Sequence, residues 1–145
     1  RDRSVSRGLG DVYKRQQQEH YSSGDIYFIQ RGYAAHGIDG AYAENYCYLL
    51  SRALFSDPVA YAKALARSTA DDEAVQTLIM GGTAYGADYY PADCETAVSA
   101  LDAAISANTL TAEETGWAKL LRYYLANPND SYYADYPKTP AELEN

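Results

Sequence analysis

The sequence predicts an all-α fold of five to seven short helices in antiparallel pairs, arranged as a helical-hairpin repeat or as an irregular bundle. Three observations predict it. Apolar residues recur at helical spacing through nearly the whole chain. Strand signals are almost missing: β-branched clusters are few, and no Asn-Gly or Asp-Gly turn joins two alternating runs. Large aliphatics are scarce, while residues 17–145 hold 24 Ala and 15 Tyr. That composition suits close-packed helices with Ala at the contacts and Tyr in the gaps, each ring bringing apolar area and a hydroxyl that needs a partner. Abundant aromatics also argue against disorder.

The first helix is expected from Asp25 to His36, capped by Ser23 or Asp25 and stopped by Gly37, with Ile26, Ile29 and Tyr33 on one face. A second follows from Gly40 to Phe55 with a stripe of Tyr42, Tyr46, Leu49, Leu50 and Ala53, and with Glu44, Asn45, Ser51 and Arg52 off it. Asp57 before Pro58 opens a third, because proline at the first helical position gives up an N–H that has no partner there anyway. Its stripe is Val59, Ala62, Leu65 and Ala66. Asp71, Asp72 and Glu73 start a fourth, where the helix dipole favours acids, and Val75, Leu78, Ile79 and Tyr85 are expected inward.

The stretch GGTAYG leaves two readings open. The fourth helix ends near Met80 and Gly81, or it continues and places Gly82 and Gly86 on one face for a close helix approach. A phosphate loop is discounted, since the Lys and its spacing are missing. After Pro91 a fifth helix starts at Ala92 or Asp93, turns Cys94, Val98, Leu101, Ala104 and Ile105 inward, and stops at Asn108. Thr111 and Glu114 form a capping box for a sixth, with Trp117, Leu120, Leu121, Tyr124 and Leu125 on one side and Asn127-Pro128 at its end. Thr139-Pro140-Ala141-Glu142 is a last helix start, reading either as a truncated helix or as a short docked one.

Short connections favour pairing helix three with four and five with six. The arrangement is similar in architecture to tetratricopeptide and HEAT arrays, although the tetratricopeptide pattern of Trp, Leu-Gly and Tyr is missing. The domain organisation expected is a foreign segment over 1–16, one all-α domain over 17–128, and a Tyr-rich polar tail over 129–145. The foreign segment rests on a resemblance: SRGLGDVYKRQ resembles translated sequencing-adaptor read-through at the ends of reading frames from metagenomic assemblies, and the only Met is Met80. The resemblance implies that 1–16 do not belong to the protein and that its true N-terminus is missing.

Charge excludes some partners. Five of the twelve Lys and Arg residues fall in positions 1–16, leaving seven bases against eighteen acids over 17–145. A nucleic-acid groove or an anionic membrane surface needs clustered cations, so neither is an expected partner, and no apolar run reaches the roughly twenty residues that span a bilayer.

Chemistry-bearing motifs are few. Cys47 and Cys94 lack CxxC spacing and read as two buried thiols, with a disulfide between them left open. His36, Asp39 and Glu44 match no zinc spacing. Asn127, Asn129, Ser131 and Asp135 resemble a calcium loop loosely, without its central Gly and with Lys138 at the closing position. No catalytic residue, metal site or cofactor is expected. What remains is tyrosine in pairs. Tyr89, Tyr90, Tyr123, Tyr132 and Tyr133 are the candidate ligand platform, because adjacent helical residues point about 100° apart and one ring of a pair is left outward. The expected function is a non-enzymatic helical module, part of a larger protein, that binds a protein or peptide. A glycan-binding module is the alternative, and a fragment of an enzyme the second alternative.

Overall fold

The computed structural model describes residues 20–36, 40–68, 73–127, 137 and 139–144, with backbone alone at 36, 40–42, 68 and 73–78. The segment 1–16, the His36–Asp39 pairing, the calcium-like loop, Tyr132 and Tyr133 lie outside the described residues. Within them the protein is all-α: α1 Ser23–His36, α2 Gly40–Ser56, α3 Pro58–Ser68, α4 Glu73–Ala87, α5 Pro91–Ala107, α6 Ala112–Ala126 and α7 Pro140–Glu144, with no strand among the described residues.

Local signals fix most helix ends. Asp57 Oδ1 accepts from the Ala60 N–H at 3.0 Å ahead of Pro58. The Thr111 hydroxyl accepts from the Glu114 N–H at 3.1 Å while Glu114 Oε1 accepts from the Thr111 N–H at 2.9 Å, closing the capping box. Asn108 ends α5 in the left-handed conformation, φ 55°. Two caps differ from expectation. α1 is capped by Ser22, not Ser23 or Asp25: the Ser22 hydroxyl accepts from the Asp25 N–H, and Asp25 Oδ2 accepts from the Ser22 N–H, both at 3.1 Å. Asp25 is therefore the reciprocal partner of the cap. α5 begins at Pro91, one residue earlier than expected, with Tyr90 as its N-cap.

α4 continues through its glycines to Ala87, and its place is set by them. A Cβ at Gly86 would stand 2.2 Å from the carbonyl oxygen of Cys47 and 3.2 Å from Ser51 Cβ. At Gly82 it would stand 2.7 Å from the ring of Tyr33 and 3.1 Å from Leu50 Cδ1. The α2 backbone thus lies directly on α4. Ser51, expected off the stripe, is fully buried by this approach, and its hydroxyl donates to the Tyr48 carbonyl at 2.7 Å. Gly81 faces open space.

This contact reorders the pairing. α4 packs chiefly on α2, and α3 packs against α6 and α1, so the expected pair of helix three with helix four does not form. α5 and α6 do pair, joined by 108–111, with Arg122 on Asp102 at 2.5 Å across their exposed edge. α7 is a docked helix: Pro140 sits in the notch left by Gly116, where a Cβ would meet Pro140 Cβ at 3.0 Å. The described helices form an irregular bundle.

The core follows the predicted stripes, with Ile26, Ile29, Leu49, Leu50, Leu65, Ile79, Leu101, Trp117, Leu120 and Leu121 buried, and with tyrosine as its bulkiest repeated filler: Tyr33, Tyr46, Tyr61 and Tyr124 are all buried. Tyr33 and Tyr46 pack with centroids 5.9 Å apart. Tyr61, absent from the predicted stripe of α3, is fully buried, whereas Val59 is only half-buried.

Two substitutions test the glycine contact. Gly86→Ala should lose about 2 kcal/mol, because overpacking costs roughly 1–3 kcal/mol and a backbone carbonyl cannot swing aside. Gly81→Ala should instead gain up to about 1 kcal/mol from helix propensity. Urea denaturation of both variants reads the opposite signs. By the same assay Trp117→Ala should lose about 3–5 kcal/mol, the range for truncating a buried large aromatic.

Candidate functional site

Polar side chains concentrate in two places, one buried and one at the surface. In the buried one, Gln30 Nε2 of α1 donates to the Tyr61 carbonyl of α3 at 3.1 Å. The Tyr61 hydroxyl hydrogen-bonds the Thr83 hydroxyl of α4. Thr83 spends its own proton on the Ile79 carbonyl at 2.7 Å, so Tyr61 is the donor of that pair. Burial drives the Tyr61 phenol well above its ordinary range, and burial likewise raises the Cys47 thiol, against the opposing effect of a hydrogen bond from Tyr33. Gln30, Cys47, Tyr61 and Thr83 are all buried. The hydrogen bonds of this cluster tie α1 to α3 and α3 to α4.

The surface concentration lies where α4 hands over to α5. Asp88 and Tyr89 form a turn, closed by the Tyr90 N–H donating to the Ala87 carbonyl at 2.9 Å. Pro91 then holds Tyr90 out of the helical region, at φ −133° and ψ 66°. Tyr90 makes no side-chain cap bond. An aromatic ring therefore occupies a position where Ser, Thr, Asp or Asn would stabilise the helix by about 1 kcal/mol. A local rule broken without local gain is expected at functional positions.

The rings gather there. Tyr89 packs against Tyr48 of α2, centroids 5.4 Å apart at 59°, and against Tyr85 of α4, 5.9 Å apart at 69°. Tyr90 meets Phe55 of α2 edge-on at 6.0 Å. The Tyr89 hydroxyl donates to the Tyr85 hydroxyl at 3.5 Å. The neighbouring Tyr89 hydroxyl, then partial burial and the Glu44 carboxylate, push the Tyr85 phenol up to about 12. Burial, then Tyr89 and Glu44, also raise Tyr48. Four large hydrophobic side chains are exposed among the described residues, and three of them, Tyr85, Tyr89 and Tyr90 at 37%, 55% and 40%, belong to this cluster.

Beside the turn runs a groove of about 610 Å³, floored by Ala87, Pro91, Val98 and Leu125 and rimmed by the exposed acids Asp88 and Glu95. Cys94 lies at its base, its thiol donating to the Ala87 carbonyl at 3.2 Å. Burial, with Asp93 and Asp88 nearby, pushes that thiol up to about 11, which keeps it protonated at neutral pH. Cys47 and Cys94 are both free and buried. Among the described residues no group of three His, Cys, Asp or Glu side chains stands ready for a metal ion, and no helix is long and apolar enough to cross a membrane.

Of the candidate platform residues, Tyr89 and Tyr90 are brought together. Tyr123 is half-buried on α6 with its ring edge-on to Tyr124 at 6.4 Å, and it does not stack on them. Tyr85, expected inward, is at the surface: the inner face of α4 is filled by the α2 backbone on Gly86 and by the Tyr33 ring and Leu50 on Gly82. Sequence reasoning missed Tyr48, Phe55, Tyr85 and Glu44. Spacing held a signal for them, since Tyr48 and Phe55 are seven apart on α2 outside its buried stripe and Tyr85 and Tyr89 are four apart.

The buried phenols make the protein alkali-sensitive. The folded state keeps Tyr46 neutral up to about 12 against an ordinary value of 10.0, and Tyr61 is raised as well. A phenol raised on folding contributes stability that is intact below its unfolded value and disappears as pH climbs through the folded one. Thermal melts should therefore stay level through pH 8, begin to soften as Cys94 enters its range, and fall steeply between pH 10 and 12. A level melting temperature across that interval would contradict the burial of these rings.

No protein-family model, curated protein or solved structure matches this chain, so the chemistry of the site is read from its own geometry.

Proposed function

We propose that the protein is a non-enzymatic helical interaction module that binds a protein or peptide segment on the Tyr48–Tyr85–Tyr89–Tyr90 cluster. The observation that supports it is concentration. Single exposed apolar residues are ordinary on any protein surface, but three of four meeting in one contiguous patch beside a groove is the pattern of a docking surface. Tyrosine suits that role, being rigid and large with a polar tip, and it is enriched among the residues that dominate binding energy.

The alternative is a glycan. Sugar rings stack on flat aromatic faces, whereas here the rings are tilted by 59° to 78° and present a ridge. The geometry favours a peptide, whose varied side chains pack on rings set at different angles.

Selection of random dodecapeptides displayed on phage, run against the full chain and against Tyr48→Ala/Tyr89→Ala, tests this. Enriched peptides should bind the double variant at least tenfold more weakly, while its circular dichroism stays helical, Tyr89 being exposed and Tyr48 only half-buried. Peptides indifferent to the substitutions would overturn the reading. Oligosaccharides that bind where no peptide is enriched would replace it with the glycan alternative.

A further inference from the structure

The acids around the cluster say what kind of peptide fits. Glu44, Asp88, Asp93 and Glu95 are exposed, and among the described residues no ion pair engages them. Glu44 lies four residues before Tyr48 on α2, so the two share a face one turn apart, and its charge acts on Tyr85 as well. Asp88 and Glu95 flank the groove on the other side of the turn. The chain as a whole carries a net charge of −8. An aromatic surface whose rims are acidic attracts cations twice over, through the carboxylates and through the negative faces of the rings.

Resting on the interaction-module reading, we propose that this surface recognises an extended basic peptide. One apolar side chain enters the groove over Ala87, Pro91, Val98 and Leu125, and Lys or Arg side chains lie across the outer faces of Tyr85 and Tyr89 toward Glu44 and Asp88. A caged quaternary ammonium fits less well. With centroids 5.4 Å and 5.9 Å apart the rings touch one another and leave no gap for a cation between them, so cations must sit on the outside. The contact with such a peptide is partly electrostatic. Its charge component acts within about a Debye length and weakens with salt.

The test uses the full chain and three decapeptides of equal length that alternate Pro-Leu pairs with Arg, with Gln or with Glu. Amide resonances are followed by two-dimensional NMR during titration. The Arg peptide should shift the amides of residues 44, 48, 85, 88–90 and 95, and should bind at least tenfold more tightly than the Gln peptide in low salt, the gap closing at about 0.5 M salt. Glu44→Gln/Asp88→Asn/Glu95→Gln should bring the Arg peptide down to the level of the Gln peptide, with an unchanged helical circular dichroism spectrum. If all three peptides bind equally at these residues, the preference for basic peptides is overturned while the interaction module stands. If no peptide of any charge shifts these resonances, or if shifts fall elsewhere, both readings fail.

Discussion

The fold depends on one close contact: the backbone of α2 resting on Gly86 of α4, with the Tyr33 ring and Leu50 seated one turn away on Gly82. Nothing larger than hydrogen fits there, since even a methyl at Gly86 would collide with the Cys47 carbonyl. Two helices brought together backbone to backbone leave their side chains to fill the space on either flank. On one flank that space is occupied by Tyr33 and Tyr46 from α1 and α2. On the other it leaves Tyr48 and Tyr85 at the rim, where Tyr89 joins them. The same contact thus builds the core and displays the surface cluster. It also explains how a chain poor in large aliphatics makes a core: small residues bring the helices close, and wide aromatic rings reach across the gaps. The hydroxyls those rings carry inward must then be satisfied, which Thr83 does for Tyr61.

What was legible in the sequence divides along the range of the interaction. Caps are decided within four residues, and Asp57, Asn108 and Thr111 with Glu114 stood where the pattern put them. The stripes of α1, α2 and α6 were legible because Ile and Leu are unambiguous. Tyrosine is not: Tyr61 is fully buried and Tyr89 largely exposed, and their residue type is the same. Only tertiary context separates them. The pairing of α5 with α6 held, while that of α3 with α4 failed for a related reason. Loop length argued for α3 with α4, but the shape of the Gly82–Gly86 face selected α2, and a steric fit between distant segments leaves no local trace. The candidate site was half legible for the same cause. Tyr89 and Tyr90 were conspicuous as a pair before a proline, while Tyr48, Phe55 and Glu44 come from α2 and join them only through the fold.

The turn between α4 and α5 combines constraint with exposure. Pro91 holds the backbone of Tyr90, and the Tyr90 N–H is bound to Ala87. The rings are therefore carried on a fixed frame between two helices, although they face solvent. Preorganisation of this kind reduces the ordering cost of association.

Trp117 is the only tryptophan in a chain of 16 tyrosines, and it is sealed within α6 next to the Gly116 notch that receives α7. Tyrosine emission overlaps tryptophan absorption, so in the compact state phenol excitation drains by resonance transfer to this one indole. The protein consequently carries its own distance gauge. Light absorbed by the tyrosines emerges from a single buried site while the bundle is intact, and returns as tyrosine emission when the helices separate.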